Sequence, residues 1–148
     1  PQTKLRDTAG LVCLLQNTWP DHYGPDGSGD AARDIAARHQ DGGLPSGLVA
    51  LAGDRTIGTG ALSTTSFGAE ASEGPWLIGL AVSADHRNRG VGAALIAAAE
   101  QAAQSQGFPA IYTTTQAAAP LFVRSGWLMM RTCQDGPGMS WQVYHKQI

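Results

Sequence analysis

The chain has 148 residues, enough for one domain that buries roughly 70% of the surface its unfolded chain exposes. Its formal net charge of −2 provides no basic footprint, so nucleic acid is not an expected partner. No apolar run approaches the ~18 residues that cross a bilayer, and no secretory signal heads the chain. We therefore expect a cytoplasmic protein with no membrane partner.

The cysteines and histidines carry little chemical signal. Cys13 and Cys133 are far apart and form no C-x-x-C, which predicts two free, buried thiols in a reducing cytosol. The histidines are His22, His39, His86 and His145. Because their spacing does not match metal ligands, we expect no metal site.

The N-terminal part of the chain reads as helix, loop and helix. Leucines at helical spacing predict a helix over Leu5–Trp19. Prolines and glycines then make Asn17–Asp30 a long loop that cannot continue this helix. Asp30 is expected to cap a short helix, Ala31–Gln40, with Ile35 facing inward and Asp41-Gly42-Gly43 ending it.

A hairpin follows these helices. Gly47–Ala52 and Thr56–Ser66 are the predicted strands, with the turn at Gly53-Asp54-Arg55. Gly58-Thr59-Gly60 is best explained as a bulge or bend, and its small residues would let another backbone come close. Phe67–Pro75 is a predicted surface loop that carries Glu70 and Glu73.

The central stretch predicts an anion site. Trp76–Val82 is a short apolar run with the length of a buried strand. A polar segment with two arginines leads to Gly90 and Gly92, which open an alanine-rich helix, Val91–Gln106, that Gly107 ends. A strand that enters a helix through a glycine-rich turn brings free N–H groups and the positive helix end together, most often for a phosphate.

Two common phosphate motifs do not match this turn. No Lys follows the glycines as in a P-loop, and Leu95 occupies the third glycine position of a dinucleotide fingerprint. The segment is instead Arg87-Asn88-Arg89-Gly90-Val91-Gly92, or R-x-x-G-x-G. This resembles the acetyl-CoA signature of the GCN5-related N-acetyltransferase (GNAT) superfamily. A strain-relieving αβ turn is the plain structural alternative.

The remaining elements complete a βαβ unit and a hairpin. Pro109–Thr115 is a second strand, parallel to the first through a right-handed crossover. Ala117–Ser125 is a short helix that Gly126 stops. Trp127–Gln134 and Met139–Lys146 form a closing hairpin around Asp135–Gly138.

The order of these elements resembles the GNAT superfamily over nearly the whole chain. The resemblance implies one α/β (α+β) domain over residues 1–148, with a mixed, mostly antiparallel sheet of six or seven strands. A parallel βαβ unit at its centre and about four helices complete this fold. Members usually begin with a strand, for which only about five residues are available here.

A second segment, Ala119–Trp127, is similar to the family pattern A-x-x-L-Y-x-x-x-G-F along the cofactor. The usual Tyr is Phe122 here, and ordinary helix packing is the favoured interpretation of this side chain, beside a contact with the cofactor. The resemblance thereby implies coenzyme A, as acetyl-CoA, and one set of cofactor-binding residues. They are Leu80, Ala81, Val82, Arg87, Asn88, Arg89, Gly90, Val91, Gly92, Ala93 and Phe122.

The implied reaction is direct acetyl transfer to a primary amine of a small molecule. Glu73 is the leading candidate for the general base, against the alternative of a plain surface carboxylate. Candidate substrate contacts, or simply solvated loop tips, are Trp19, Asp21, His22 and Tyr23. The acidic residues of the two loops would attract a cationic amine.

Phe122 leaves the family's proton donor missing. A thiol titrates near 8.5, so the free thiolate is only about 1.4 kcal/mol uphill at neutral pH, and turnover survives. Two alternatives stay open: an acyl-CoA-binding regulatory module with little turnover, and a different phosphate-dependent enzyme. The resemblance also leaves a homodimer open beside a monomer.

Overall fold

The computed structural model describes residues 8–38, 44 and 46–148. The helices within this part are α1 (Thr8–Thr18), α2 (Pro20–Tyr23), α3 (Ala31–Arg38), α4 (Val91–Ser105) and α5 (Ala119–Arg124). The strands are β1 (Ser46–Ala52), β2 (Arg55–Ser63), β3 (Trp76–Val82), β4 (Ala110–Thr115), β5 (Leu128–Gln134) and β6 (Ser140–Gln147). A short 3₁₀ turn, Ala84–His86, precedes α4.

The strands form one six-stranded sheet in the order β1-β2-β3-β4-β6-β5. Every neighbouring pair is antiparallel except β3 and β4, which are parallel and joined through α4. The predicted fold class is therefore confirmed: a mixed, mostly antiparallel sheet with a parallel βαβ unit at its centre. Any strand in residues 1–7 lies outside the described residues.

Helices cover both faces of the sheet. Leu62, Leu77 and Ile96 belong to a core cluster that contains α4 and α5, and Leu48 packs against it. Val49 packs instead against a second cluster, which α1 and α3 form around Leu15 and Ile35. Since successive strand residues point to opposite faces, the two clusters lie on opposite sides of the sheet.

The N-terminal predictions hold with one correction. Asp30 caps α3 as expected, because its Oδ1 accepts the N–H of Arg33 at 3.0 Å. The prediction of an uninterrupted loop after α1 was wrong, since Pro20 opens the short helix α2. Proline suits a first helical turn, where its missing N–H costs nothing. Leu5–Asp7 and the segment 39–43 lie outside the described residues.

The cysteines are free, but the prediction that both are buried was wrong. Cys13 is exposed on α1, and Cys133 is half-buried on β5. The buried residues of α1 are Leu11, Leu14 and Leu15, whereas Cys13 lies on the solvent face of the helix. Burial of a cysteine therefore cannot be inferred from residue type alone.

The glycines of β2 lie between two bulges, as predicted. The β1–β2 register shifts after Ala50, and the β2–β3 register shifts at Gly60, where two residues of β3 oppose one of β2. Gly58 also allows close helix packing: a Cβ there would lie 2.9 Å from Leu95 and 3.0 Å from Val91 of α4. The element that packs closely against Gly58 is thus the helix α4, through its side chains.

An ion pair fixes the loop before β3 onto the sheet. Arg131 on β5 donates both guanidinium nitrogens to Glu73, Nη1 to Oε2 at 2.8 Å and Nη2 to Oε1 at 2.6 Å. Its Nη2 also donates to the carbonyl of Gly68 at 2.6 Å. Hydrogen bonds from Arg131 hold the pKa of Glu73 below its usual range, with the backbone N–H of Glu70 adding to the effect.

Among residues 8–38, 44 and 46–148, no helix combines the length and the apolar character of a bilayer span.

Replacing Glu73 by Gln should reveal the ion pair through its pH dependence. A depressed folded-state pKa contributes stability above the unfolded pKa of about 4.3 and loses it as acid protonates the group. We expect Glu73→Gln to lower the free energy of unfolding by about 1–2 kcal/mol at neutral pH. This deficit should shrink as the pH falls below the unfolded pKa, which urea titrations at several pH values measure.

The control is Glu70→Gln, since the Glu70 side chain is 61% exposed and 3.9 Å from Arg131. It should change stability by about 0.5 kcal/mol or less. A Glu73→Gln deficit that stays constant down to acid pH would contradict the assigned role.

Candidate active site

The site begins where the two parallel strands separate. Their ladder contains two pairs, Trp76 with Tyr112 and Leu77 with Thr113. The hydroxyl of Thr113 donates to the carbonyl of Leu77 at 2.8 Å, at the last of these pairs. Beyond it, β3 bulges at Gly79, whose φ of 59° is left-handed, and the strand runs on to Val82 without a β4 partner. The two parallel strands therefore separate beyond Leu77 and Thr113.

A groove of about 710 Å³ opens beside this free strand edge. It lies between the end of β3, the start of α4 and the segment that leads into α5. Its lining residues are Leu80, Val82, Arg87, Asn88, Gly90, Val91, Gly92, Ala93, Ala117, Ala118, Leu121 and Arg124.

The N-terminus of α4 opens into the groove without a side-chain cap. Gly90 occupies the cap position with a φ of 83°, and the first turn holds no acidic residue. The N–H of Ala94 is the first to reach a carbonyl of the turn, that of Gly90 at 3.0 Å. Three preceding N–H groups are left for another acceptor. Since the helix dipole adds positive charge at the same end, the turn is built for an anion.

Two guanidinium groups adjoin these amides. Arg87 lines the groove, and its Nε donates to the carbonyl of Val82 at 3.2 Å, which holds the side chain along the strand end. Arg124 approaches from α5. Backbone N–H groups with flanking arginines form a site suited to a phosphate or pyrophosphate.

Most of the residues predicted for the cofactor line this groove, and three do not. Ala81 is buried and pairs with Thr59, while Arg89 is exposed and lies outside the lining. Phe122 is 2% exposed and packs edge-to-face on Trp127, with ring centroids 4.9 Å apart. Phe122 therefore belongs to the core. The preceding residue, Leu121, lines the groove instead.

Sequence reasoning missed four lining residues, namely Ala117, Ala118, Leu121 and Arg124. The segment was expected to lie along the cofactor, but the sequence analysis did not predict which of its side chains face the groove. Pro120 at the start of α5 supplies that signal, because it fixes the first turn and with it the side of the helix that each later residue occupies.

The structure places Glu73 in an ion pair with Arg131 and outside the groove lining. Its side chain is 12% exposed, and Arg131 engages both of its oxygens. Glu73 also does not line the groove. A carboxylate that is held ionised by a guanidinium has a lowered pKa and little tendency to accept a proton near neutrality. These contacts give Glu73 a structural role, and its catalytic role stays a prediction.

The four candidate substrate contacts lie together at α2 but in different environments. Asp21 and His22 are exposed at the surface. Trp19 and Tyr23 are half-buried and pack against the cluster of α1 and α3. The hydroxyl of Tyr23 donates to Asp34 Oδ2 at 2.6 Å. Burial, with the contribution of Asp34, raises the pKa of Tyr23 to about 12, so this hydroxyl remains a donor at neutral pH.

Sequence reasoning also missed Arg38, at the end of α3. Its side chain is buried, with 6% exposure, and a Cβ on Gly79 would lie only 2.6 Å from its Nη2. The guanidinium thus lies against the β3 bulge. The available signal was spacing: Ala31, Ile35 and Arg38 form one inward stripe at i, i+4 and i+7.

Within the part of the chain that the structure describes, no three His, Cys, Asp or Glu side chains gather as a metal site would require.

Solved structures share this fold. One, an aminoglycoside 6'-N-acetyltransferase complexed with coenzyme A, has a TM-score of 0.81 at 14% identity, covering 99% of this chain and 94% of that one. The 6'-N-acetyltransferase from Enterococcus faecium gives 0.76 at 17%, covering 95% and 89%. A ribosomal-protein-alanine N-acetyltransferase from Brucella melitensis gives 0.73 at 14%, covering 96% and 94%.

At these identities the likeness extends to the fold alone, and the chain matches no curated protein sequence. A family model does match: that of the Acetyltransferase (GNAT) family, over residues 11–127, which is most of the chain. The groove at an uncapped helix, the separated parallel strands and this match lead to one conclusion. The protein belongs to the GNAT acetyltransferase family.

Proposed function

We propose that this protein transfers an acetyl group from acetyl-CoA directly to a primary amine of a small molecule. The observation that carries the proposal is the uncapped N-terminus of α4, which presents three N–H groups to a groove that Arg87 and Arg124 flank. The solved neighbour complexed with coenzyme A supports this choice of cofactor. Two free thiols suit the reducing cytoplasm in which we place the reaction.

The residues present fit coenzyme A. Amides of Val91, Gly92 and Ala93 would hold its diphosphate, with Arg87 supplying charge. Gly92 keeps this surface open, because a Cβ there would approach Leu121 Cδ2 to 2.8 Å. The pantetheine arm would run along the free edge of β3, where Leu80 and Val82 line the groove. The N–H groups beyond the bulge would polarise the thioester carbonyl.

The chemistry needs few side chains. Acetyl-CoA supplies, when bound, an activated acyl carbon to which the amine nitrogen bonds while the carbon–sulfur bond breaks. An alkylamine titrates near 10.4, so its deprotonation at pH 7.4 costs about three pKa units, or ~4 kcal/mol. With Glu73 held by Arg131, we propose that the amine loses its proton to water.

A second function remains: an acyl-CoA-binding module with little turnover. The observation that favours it is Phe122, which brings no hydroxyl to the groove and is buried in the core. We prefer turnover, since the departing thiolate is only about 1.4 kcal/mol uphill at neutral pH without an acid. Thiol release in the presence of amines separates the two functions.

The first test combines binding with turnover. Calorimetry should detect coenzyme A at micromolar concentrations, but neither ATP nor NAD with comparable affinity. Acetyl-CoA mixed with a panel of primary amines should then release free thiol at a rate that depends on the amine. Coenzyme A binding without any amine-dependent release would favour the binding module, and absence of coenzyme A binding would exclude both functions.

A matched pair of arginine variants tests the binding surface. Arg87→Gln should weaken coenzyme A binding about tenfold, since a charge-assisted contact to phosphate contributes about 1.5–3 kcal/mol, partly offset by solvent. Arg89→Gln removes the same charge two residues away, outside the groove, and should change the dissociation constant less than about threefold. Equal losses in the two variants, measured by calorimetry, would indicate a general charge effect.

Replacing Phe122 by Tyr tests its assignment to the core. The added hydroxyl would enter the contact with Trp127 rather than the groove, so we expect a loss of about 1–3 kcal/mol in unfolding free energy and no gain in kcat. Urea titration and thiol release measure the two effects. A rise in kcat of tenfold or more would show instead that position 122 reaches the leaving group.

A further inference from the structure

Arg38 is a buried cation whose hydrogen-bonding capacity is incomplete. Arg38 is only 6% exposed, and within residues 8–38, 44 and 46–148 its Nη1 has no hydrogen-bond partner. Burying a polar atom without a partner is costly, and for a charged group the cost is larger still. An unpartnered atom of this kind calls for an explanation, and a polar group that arrives from outside the chain is one that would satisfy it.

Among the described residues, no acidic side chain forms an ion pair with Arg38. Asp34 lies one helical turn earlier and acts on Arg38 through space, but its Oδ2 accepts the hydroxyl of Tyr23. The ion pairs found between described side chains involve Arg131 or Lys146, and none involves Arg38. Burial accordingly lowers the pKa of Arg38 from its ordinary value, although an arginine remains charged at neutral pH.

The position of the guanidinium relates it to the proposed reaction. It lies against Gly79, where both the left-handed φ and the absence of a Cβ are required. The next residue, Leu80, lines the groove on the free edge of β3. Arg38 therefore lies one residue from the strand segment that would hold the thioester carbonyl.

From this geometry we propose that Arg38 binds a carboxylate of the acceptor, which is thus a primary amine that also carries a carboxyl group. This inference rests on the proposed function and narrows its substrate class. A guanidinium matches a carboxylate in shape and binds it with strong, charge-assisted hydrogen bonds. A dianionic phosphate fits less well, because the carboxylate of Asp34 on the same helix repels a second negative charge.

Reaction products serve as probes, since they carry the carboxylate without requiring turnover. The probes are N-acetylglycine, N-acetylphenylalanine and Nα-acetyllysine, each paired with its neutral carboxamide, titrated into protein saturated with coenzyme A. The amide NMR signal of Gly79 reports binding beside Arg38. For at least one pair, the acid should bind ten times more tightly than its amide and should shift the Gly79 signal.

Variants of α3 provide the controls. Arg38→Gln should abolish the preference for the acid, and Arg38→Lys should retain part of it. Arg33→Gln removes an exposed arginine from the same helix and should leave the preference unchanged. Dissociation constants for coenzyme A, measured on the same samples, should stay within about threefold in all three variants.

Three results would overturn the inference: acids that bind no better than amides in every pair, a preference that survives in Arg38→Gln, or an equal Gly79 shift with inorganic phosphate. Should Arg38→Gln not fold, the acid–amide comparison in the unmodified protein decides. Failure of coenzyme A to bind the unmodified protein is a separate outcome, which would overturn the proposed function itself.

Discussion

The separation of β3 and β4 is the constraint on which the site depends. Parallel strands normally continue their ladder, but here it ends after Leu77 and Thr113. The bulge at Gly79 turns the next residues of β3 away from β4 and leaves a strand edge inside the molecule. The groove opens beside this free edge, so the interruption of the ladder leaves backbone groups of β3 available to a ligand there.

Different helices pack near this opening on the two faces of the sheet. On one face, α4 is held in place through Glu100, which accepts hydrogen bonds from Trp127 at 3.0 Å and from Lys146 at 2.8 Å. Lys146 also donates to the carbonyl of Ser125 at the end of α5. On the other face, α3 brings Arg38 to the bulge.

The elements that could be predicted from the sequence are those with strong local signals. The apolar run of β3, the alanine-rich α4 and Gly107 after it occur as expected, since length, periodicity and glycine position act within one segment. The anion site followed from the same stretch.

The surroundings of three side chains depend on tertiary contacts that the sequence does not show. Glu73 looks like a free loop carboxylate until Arg131, 58 positions away, engages both of its oxygens. Phe122 matches a family position, and the structure shows the helix packing that was favoured for it, with the side chain buried in the core. Arg38 lies on the inward stripe of α3, but only the folded structure shows that its guanidinium contacts the bulge at Gly79.

Gly58 illustrates how a residue outside the groove controls it. The side chains of Leu95 and Val91 lie where its missing Cβ would be, so α4 rests directly on the β2 backbone near its own N-terminus. A side chain at position 58 would meet these two side chains at about 3.0 Å or less, so Leu95 or Val91 would have to shift. Gly58 therefore sets how closely α4 approaches the sheet at the helix end that opens into the groove, although it is not one of the residues that line the groove.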